Sequence, residues 1–163
     1  MKTLLFHCLI VALTVASDQA IKTLADSTLP FQQMVPLLPF LALFRTYNTG
    51  VAFSMFDTSE SLWLIIMSVL VVGFVLFLAW KTEANQRIAR FGFALVVGGA
   101  LGNLLDRGIH GYVIDYIYFH TPVWSFAIFN MADVFISIGA GLVLLEEALA
   151  WRRERAAKAA ADR

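Results

Sequence analysis

Four aspartates are the residues in this chain whose setting could support chemistry. Asp18, Asp106, Asp115 and Asp133 each lie within, or at the edge of, long apolar stretches. A charge in hydrocarbon costs at least ~2.5 kcal/mol, so acids placed there mark functional candidates. Asp115 and Asp133 have no Lys or Arg beside them in the sequence. Two carboxylates brought side by side cannot both ionise cheaply, so one keeps a proton. Such a pair can take a proton from water and give one to a carbonyl oxygen, as in aspartic proteases. The same acids could equally form a proton relay or a purely structural network, and spacing alone leaves these readings open.

Polar neighbours recur at helical spacing. Asn103 and Asp106 are i, i+3, and Asn130, Asp133 and Ser137 form one stripe. Asp18 and Lys22 are i, i+4 in the favourable acid-first order, which also suits a surface ion pair at a helix end. Gly98 and Gly102 make a G-x-x-x-G with Gly99 beside them, a pattern that lets helices approach closely in lipid. Other chemistries find little support. His110 and His120 flank Asp115 without an H-E-x-x-H, so no metal site is expected. Ser54 and Ser125 lack a G-x-S-x-G setting. No phosphate-binding or dinucleotide glycine pattern appears, and no cofactor is expected. Cys8 is the only cysteine, which excludes an intrachain disulfide.

The elements that must position these residues are membrane helices. Of the 163 residues, 60% are hydrophobic and only 15% charged, with a mean hydropathy of +0.75. A soluble domain carries about a quarter charged residues. The formal net charge is zero, so nothing points to nucleic acid. Spanning helices need about 20 apolar residues, which predicts spans over approximately 3–21, 62–80, 91–108 and 124–150. The expected fold is an all-α, four-helix membrane bundle forming one domain over 1–163. Lys2 with an apolar run and Val15-Ala16-Ser17 resembles a cleavable signal peptide, but the polar Asp18–Lys22 pair favours a retained first helix.

Nine of the twelve basic residues fall before span one, between spans two and three, or after span four. The positive-inside rule then puts both termini in the cytoplasm and two loops outside. The longer loop, roughly 20–61, has Pro30, Pro36 and Pro39, then a Phe-, Tyr- and Val-rich run around Tyr47-Asn48-Thr49-Gly50. It reads as two short strands about a turn at Tyr47–Gly50, lying on the outer membrane surface. At 1.5 Å per residue, Asp133 lies ~28 Å from Arg152, and Asp18 and Asp106 lie ~24 Å from Lys2 and Arg90. The three acids therefore share a level near the outer boundary, and Asp115 can join them through Gly108 and Gly111.

The blocks SDQAIK (17–22), YNTGVAFSMF (47–56), GGALGNLLDR (98–107) with VIDY (113–116), and FNMADVFISIG (129–139) resemble those of lipoprotein signal peptidase, or signal peptidase II, a family of bacterial membrane aspartic peptidases. The stretch after Phe56 is short for that family. The resemblance implies Asp115 and Asp133 as the catalytic dyad and does not assign that role to Asp106. It implies Asn103 and Asn130 as site-lining hydrogen-bonders. Asn48, Gly50, Ala52 and Phe53 become a substrate-clamping part of the outer loop. Asp18 and Lys22 become a scaffold pair near the site, with Asp106 and Arg107 in an ion-pair network. The implied substrates are prolipoproteins whose cysteine already carries diacylglyceryl, cut just before that cysteine in the inner membrane, with membrane lipid as the surroundings. Neither a metal nor a covalent enzyme intermediate is required. A small transporter or proton channel built on the same acids is the competing reading.

Overall fold

A computed structural model describes residues 2–50 and 59–161. The remainder of the predicted clamp beyond Gly50, including Ala52 and Phe53, and the short stretch after Phe56 lie outside those residues. Helices α1 (Lys2–Thr28), α2 (Ser59–Lys81), α3 (Arg87–His110) and α4 (Met131–Ala161) form the bundle. Among the described residues, four helices are long and apolar enough to cross a membrane: Leu4–Thr28, Leu62–Lys81, Arg87–His110 and Met131–Ala160. α3 is the central helix, packed by α1, α2 and α4. Its face is lined by Ala89, Ala94, Val97 and four glycines, so neighbours come close.

The glycines divide their work between two partners. A Cβ on Gly98 or Gly102 would strike Thr14 or Asp18 of α1, at 2.6 and 2.5 Å. Thr14 and Asp18 are themselves one turn apart, so the G-x-x-x-G face receives one stripe of α1. A Cβ on Gly99 would meet the Ala132 carbonyl of α4 at 2.5 Å. A Cβ on Gly92 or Gly139 would strike the other's carbonyl oxygen, at 2.6 and 2.5 Å, completing the α3–α4 seam.

Beside the bundle stands a three-stranded antiparallel sheet in the order β1 (Met34–Leu38), β2 (Leu41–Asn48), β3 (Val113–Phe119). The β1–β2 hairpin turns at Pro39-Phe40, with Leu38 paired to Leu41. The turn expected at Tyr47–Gly50 instead ends β2. The Gly50 N–H donates to Asn48 Oδ1 at 2.8 Å, and Gly50 takes φ +79°, a left-handed conformation open to glycine. Residues 113–119 fall between the predicted spans 91–108 and 124–150. They form a strand because Gly111, at φ +79°, closes α3 with its N–H on the Arg107 carbonyl and sends the chain back along β2.

Predicted span boundaries shift in α1 and at both ends of α4, which runs to Ala161 rather than 150. α1 runs on from 21 to Thr28, because its last turns pack on the sheet: Ala25 is buried with Ile114 and Tyr116. α4 begins at Met131 rather than 124. Phe129 bridges to Ile117 and Ser125 to His120, so the segment before Asn130 is spent on the sheet edge.

Candidate active site

The site forms where the sheet meets the start of α4. β2 and β3 are in register so that Thr46 faces Asp115 and Asn48 faces Val113. This register brings the Asn48 side chain to Asp115, donating from Nδ2 to Oδ2 at 2.8 Å. Asn130 Nδ2 donates to the other oxygen, Oδ1, at 2.6 Å. Asp115 is almost wholly buried. Burial pushes its carboxyl up to about 6, against the opposing hydrogen bonds from Asn48 and Asn130; the nearby charge of Asp133 adds to the rise.

Asp133 is built into the first turn of α4. Asn130 stands at the cap position, and its Oδ1 accepts the Asp133 N–H at 3.2 Å. Asp133 Oδ2 reaches back to accept the Asn130 N–H at 3.2 Å. This is a reciprocal capping box, and it locks one oxygen of Asp133. The other, Oδ1, accepts from Asn103 Nδ2 of α3 at 2.9 Å. The remaining free N–H groups of that turn are also taken. Ala132 donates to Asp18 Oδ1 at 2.9 Å and Met131 to the Tyr116 hydroxyl oxygen at 3.3 Å.

Asn103 and Asn130 tie the two carboxylates together. Asn130 Nδ2 donates both to Asp115 and to Asn103 Oδ1, the latter at 3.2 Å. Asn103 Oδ1 also accepts from Lys22 Nζ at 2.8 Å. Lys22 and Asp18 are not a surface pair: they are 1% and 0% exposed. Lys22 Nζ lies 2.8 Å from Asp18 Oδ2 and 2.9 Å from Asp106 Oδ2. Its three hydrogens thus have three acceptors, two of them charged. Asp106 also accepts from Gln19 Nε2 at 2.7 Å and from the Ile114 N–H at 3.3 Å, next to Asp115.

Of the site residues singled out from the sequence, the network gathers Asp18, Lys22, Asn48, Asn103, Asp106, Asp115, Asn130 and Asp133. Gly50 joins it through Asn48. Arg107 does not: among the described residues it makes no ion pair, and its buried Nε has no partner. The partner of Asp106 is Lys22 instead, because Arg107 lies one residue, or ~100°, further round α3. Sequence reasoning gave no role to Gln19, although it lies in the SDQAIK block. It also missed the outer clamp in which Arg45 Nη1 and the Tyr47 hydroxyl both donate to Asp26, the Tyr47 bond being 2.8 Å. That clamp holds the end of α1 to β2, one residue from Asn48. The Asp26 carboxylate pushes the Tyr47 hydroxyl up to about 12.

Bundle and sheet together fit a multi-pass membrane protein. Residues 10–149 match the family model described as signal peptidase (SPase) II, and the chain belongs to that family of membrane peptidases. It is similar to the lipoprotein signal peptidase of Mesorhizobium japonicum, 60% identical over 148 residues, 91% of this chain and 88% of that one. Its likeness to the lipoprotein signal peptidase of Brucella ovis is 56% over 146 residues, 90% of this chain and 91% of that one. Two solved structures described as bacterial membrane enzyme structures by the in meso method, at 2.3 and 1.9 Å resolution, share the fold. Their TM-scores are 0.74 and 0.77; each is 26% identical over 86% of this chain, covering 85% and 90% of theirs.

Proposed function

We propose that this chain removes signal peptides from prolipoproteins as an aspartic endopeptidase, with Asp115 and Asp133 as its dyad. The observation that carries the reading is how the two acids are held. Each accepts hydrogen bonds from uncharged amides, whereas the nearby cation, Lys22, is committed to Asp18 and Asp106. An unneutralised pair retains a proton to share, and the pair linked to Lys22 does not need one.

In this reading one carboxylate is ionised and the other protonated. The ionised group removes a proton from water as the water oxygen attacks the scissile carbonyl carbon. The protonated group gives its proton to the carbonyl oxygen. The resulting diol collapses, the C–N bond breaks, and the new amine takes a proton from the dyad. Asp115, pushed up to about 6 by burial, holds its proton more readily than an ordinary carboxylate and suits the donor role. Asn48, Asn103 and Asn130 orient the pair, and Gly50 shapes the end of the strand carrying Asn48. Asp18, Lys22 and Asp106 are the scaffold.

The cut falls just before a diacylglyceryl-cysteine. A dyad at one end of the bundle, beside the sheet, suits a bond next to a residue whose lipid remains in the bilayer. The basic asymmetry supports an inner-membrane protein with cytoplasmic termini and the site at the outer face. A transporter has no observation in its favour.

The test is single-turnover cleavage of a lipidated and an unlipidated precursor by purified variants. Asp115→Asn and Asp133→Asn are expected to lose at least ~10³-fold while purifying normally. Asp106→Asn is expected to keep measurable turnover, and the unlipidated precursor to stay largely uncut. Substantial cleavage by either dyad variant rejects the assignment, and equal turnover of both precursors rejects lipid recognition.

A further inference from the structure

At the end of the bundle opposite the sheet, α1 and α2 both pack on α3 and leave a groove of about 810 Å³ between them. Its walls are apolar along most of their length, including Ala12, Leu76, Val97 and Leu101. The polar lining is gathered at one end, where His7, Thr82 and Arg90 stand. Arg90 lies in the first turn of α3, which begins at Arg87, and the preceding helix α2 ends at Lys81. Arg87 and Arg90 make no ion pair among the described residues.

The dimensions select the occupant. From Arg90 to Leu101 is ~16 Å of helix, about half of a ~30 Å hydrocarbon core. The groove therefore runs from a cationic rim to the midplane and covers a single leaflet. A signal-sequence helix of about 15 residues, ~10 Å wide and ~22 Å long, would fill roughly 1,800 Å³. Its n-region is positively charged and would be repelled at this rim. A lipid tail fits the length, and basic pockets between membrane helices attract anionic headgroups.

We infer that this groove is a binding site for one anionic phospholipid of the leaflet at the basic end, its phosphate at Arg90 and a chain lying along α3. The site is separate from the dyad and does not depend on the catalytic reading. It ties α2 to α1, which otherwise meet chiefly through α3.

The experiment is native mass spectrometry of the full chain released from nanodiscs of mixed phosphatidylglycerol and phosphatidylcholine. One phosphatidylglycerol should stay bound in preference to phosphatidylcholine. Arg90→Gln should reduce that retention about fivefold, the worth of one basic contact to an anionic headgroup. Ala12→Phe, at an exposed position of α1, should remove it by filling the groove. Equal retention of the two lipids, or wild-type retention by either variant, overturns the inference. So does displacement of the bound lipid by a synthetic signal peptide without headgroup preference, which would assign the groove to substrate.

Discussion

Lys22 has no water to turn to. Asp18, Asp106 and Asn103 take its three hydrogens, and it is 1% exposed. Removing one partner of a buried ionic group costs ~3–5 kcal/mol because the rest is left uncompensated. Lys22→Met should therefore lower stability by about that amount in thermal unfolding of the detergent-solubilised protein. Adding Asp106→Asn should recover part of the loss, since one stranded charge is gone. The single variant should also lose turnover, because Asn103 holds Asp133 while itself held by Lys22. Asp115 offers a second test. Its carboxyl moves from 3.8 to about 6 on folding, with burial the main cause. The folded state then binds the proton more tightly than the unfolded one. That contribution to stability is complete below about pH 4 and is lost as pH rises through about 6, on the order of 3 kcal/mol. Melting temperatures of wild type should fall across this window relative to Asp115→Asn. Parallel curves would reject the shift.

At the scale of elements, the α3–α4 seam decides whether the site closes. Gly99 lies against the Ala132 carbonyl, one residue from Asp133. The methyl of Gly99→Ala would push the start of α4 away and stretch the Asn103–Asp133 bond. This variant should lose both stability and turnover, the latter by ten-fold or more. Gly141→Ala, whose added methyl meets nothing, should be neutral or slightly stabilising, since alanine is worth up to ~1 kcal/mol over glycine in a helix. Comparing the two in cleavage and thermal assays separates packing from propensity. Much of this level can be read in the sequence. The i, i+3 spacing of Asn130 and Asp133 already implies one face, and apolar length implies four helices. The β2–β3 register is not legible, because β3 is short and pairs with a strand more than sixty residues earlier. Asn48 on Asp115 was therefore invisible to spacing. Depth arithmetic could not separate Asp106 from Asp115 either, because what distinguishes them is Lys22, on another helix.

Across the whole molecule, nine of twelve basic residues fall before the first span, between the second and third, or after the fourth. Reporter fusions after Lys81 and Arg153 should read cytoplasmic, and one near Asp57 should read external; an external carboxyl terminus would reverse the orientation. The same order along the chain bears on how the protein is made. α1 enters the membrane before α3 has been synthesised, so Lys22 arrives without Asp106 or Asn103. Asp18, one turn earlier on the same helix, is already there at 2.8 Å. The nascent helix thus carries its own counter-ion and presents the insertion machinery with a neutral pair. When α3 follows, it brings a second carboxylate to a lysine that is already in place, and this late arrival draws the first and third helices together during biogenesis.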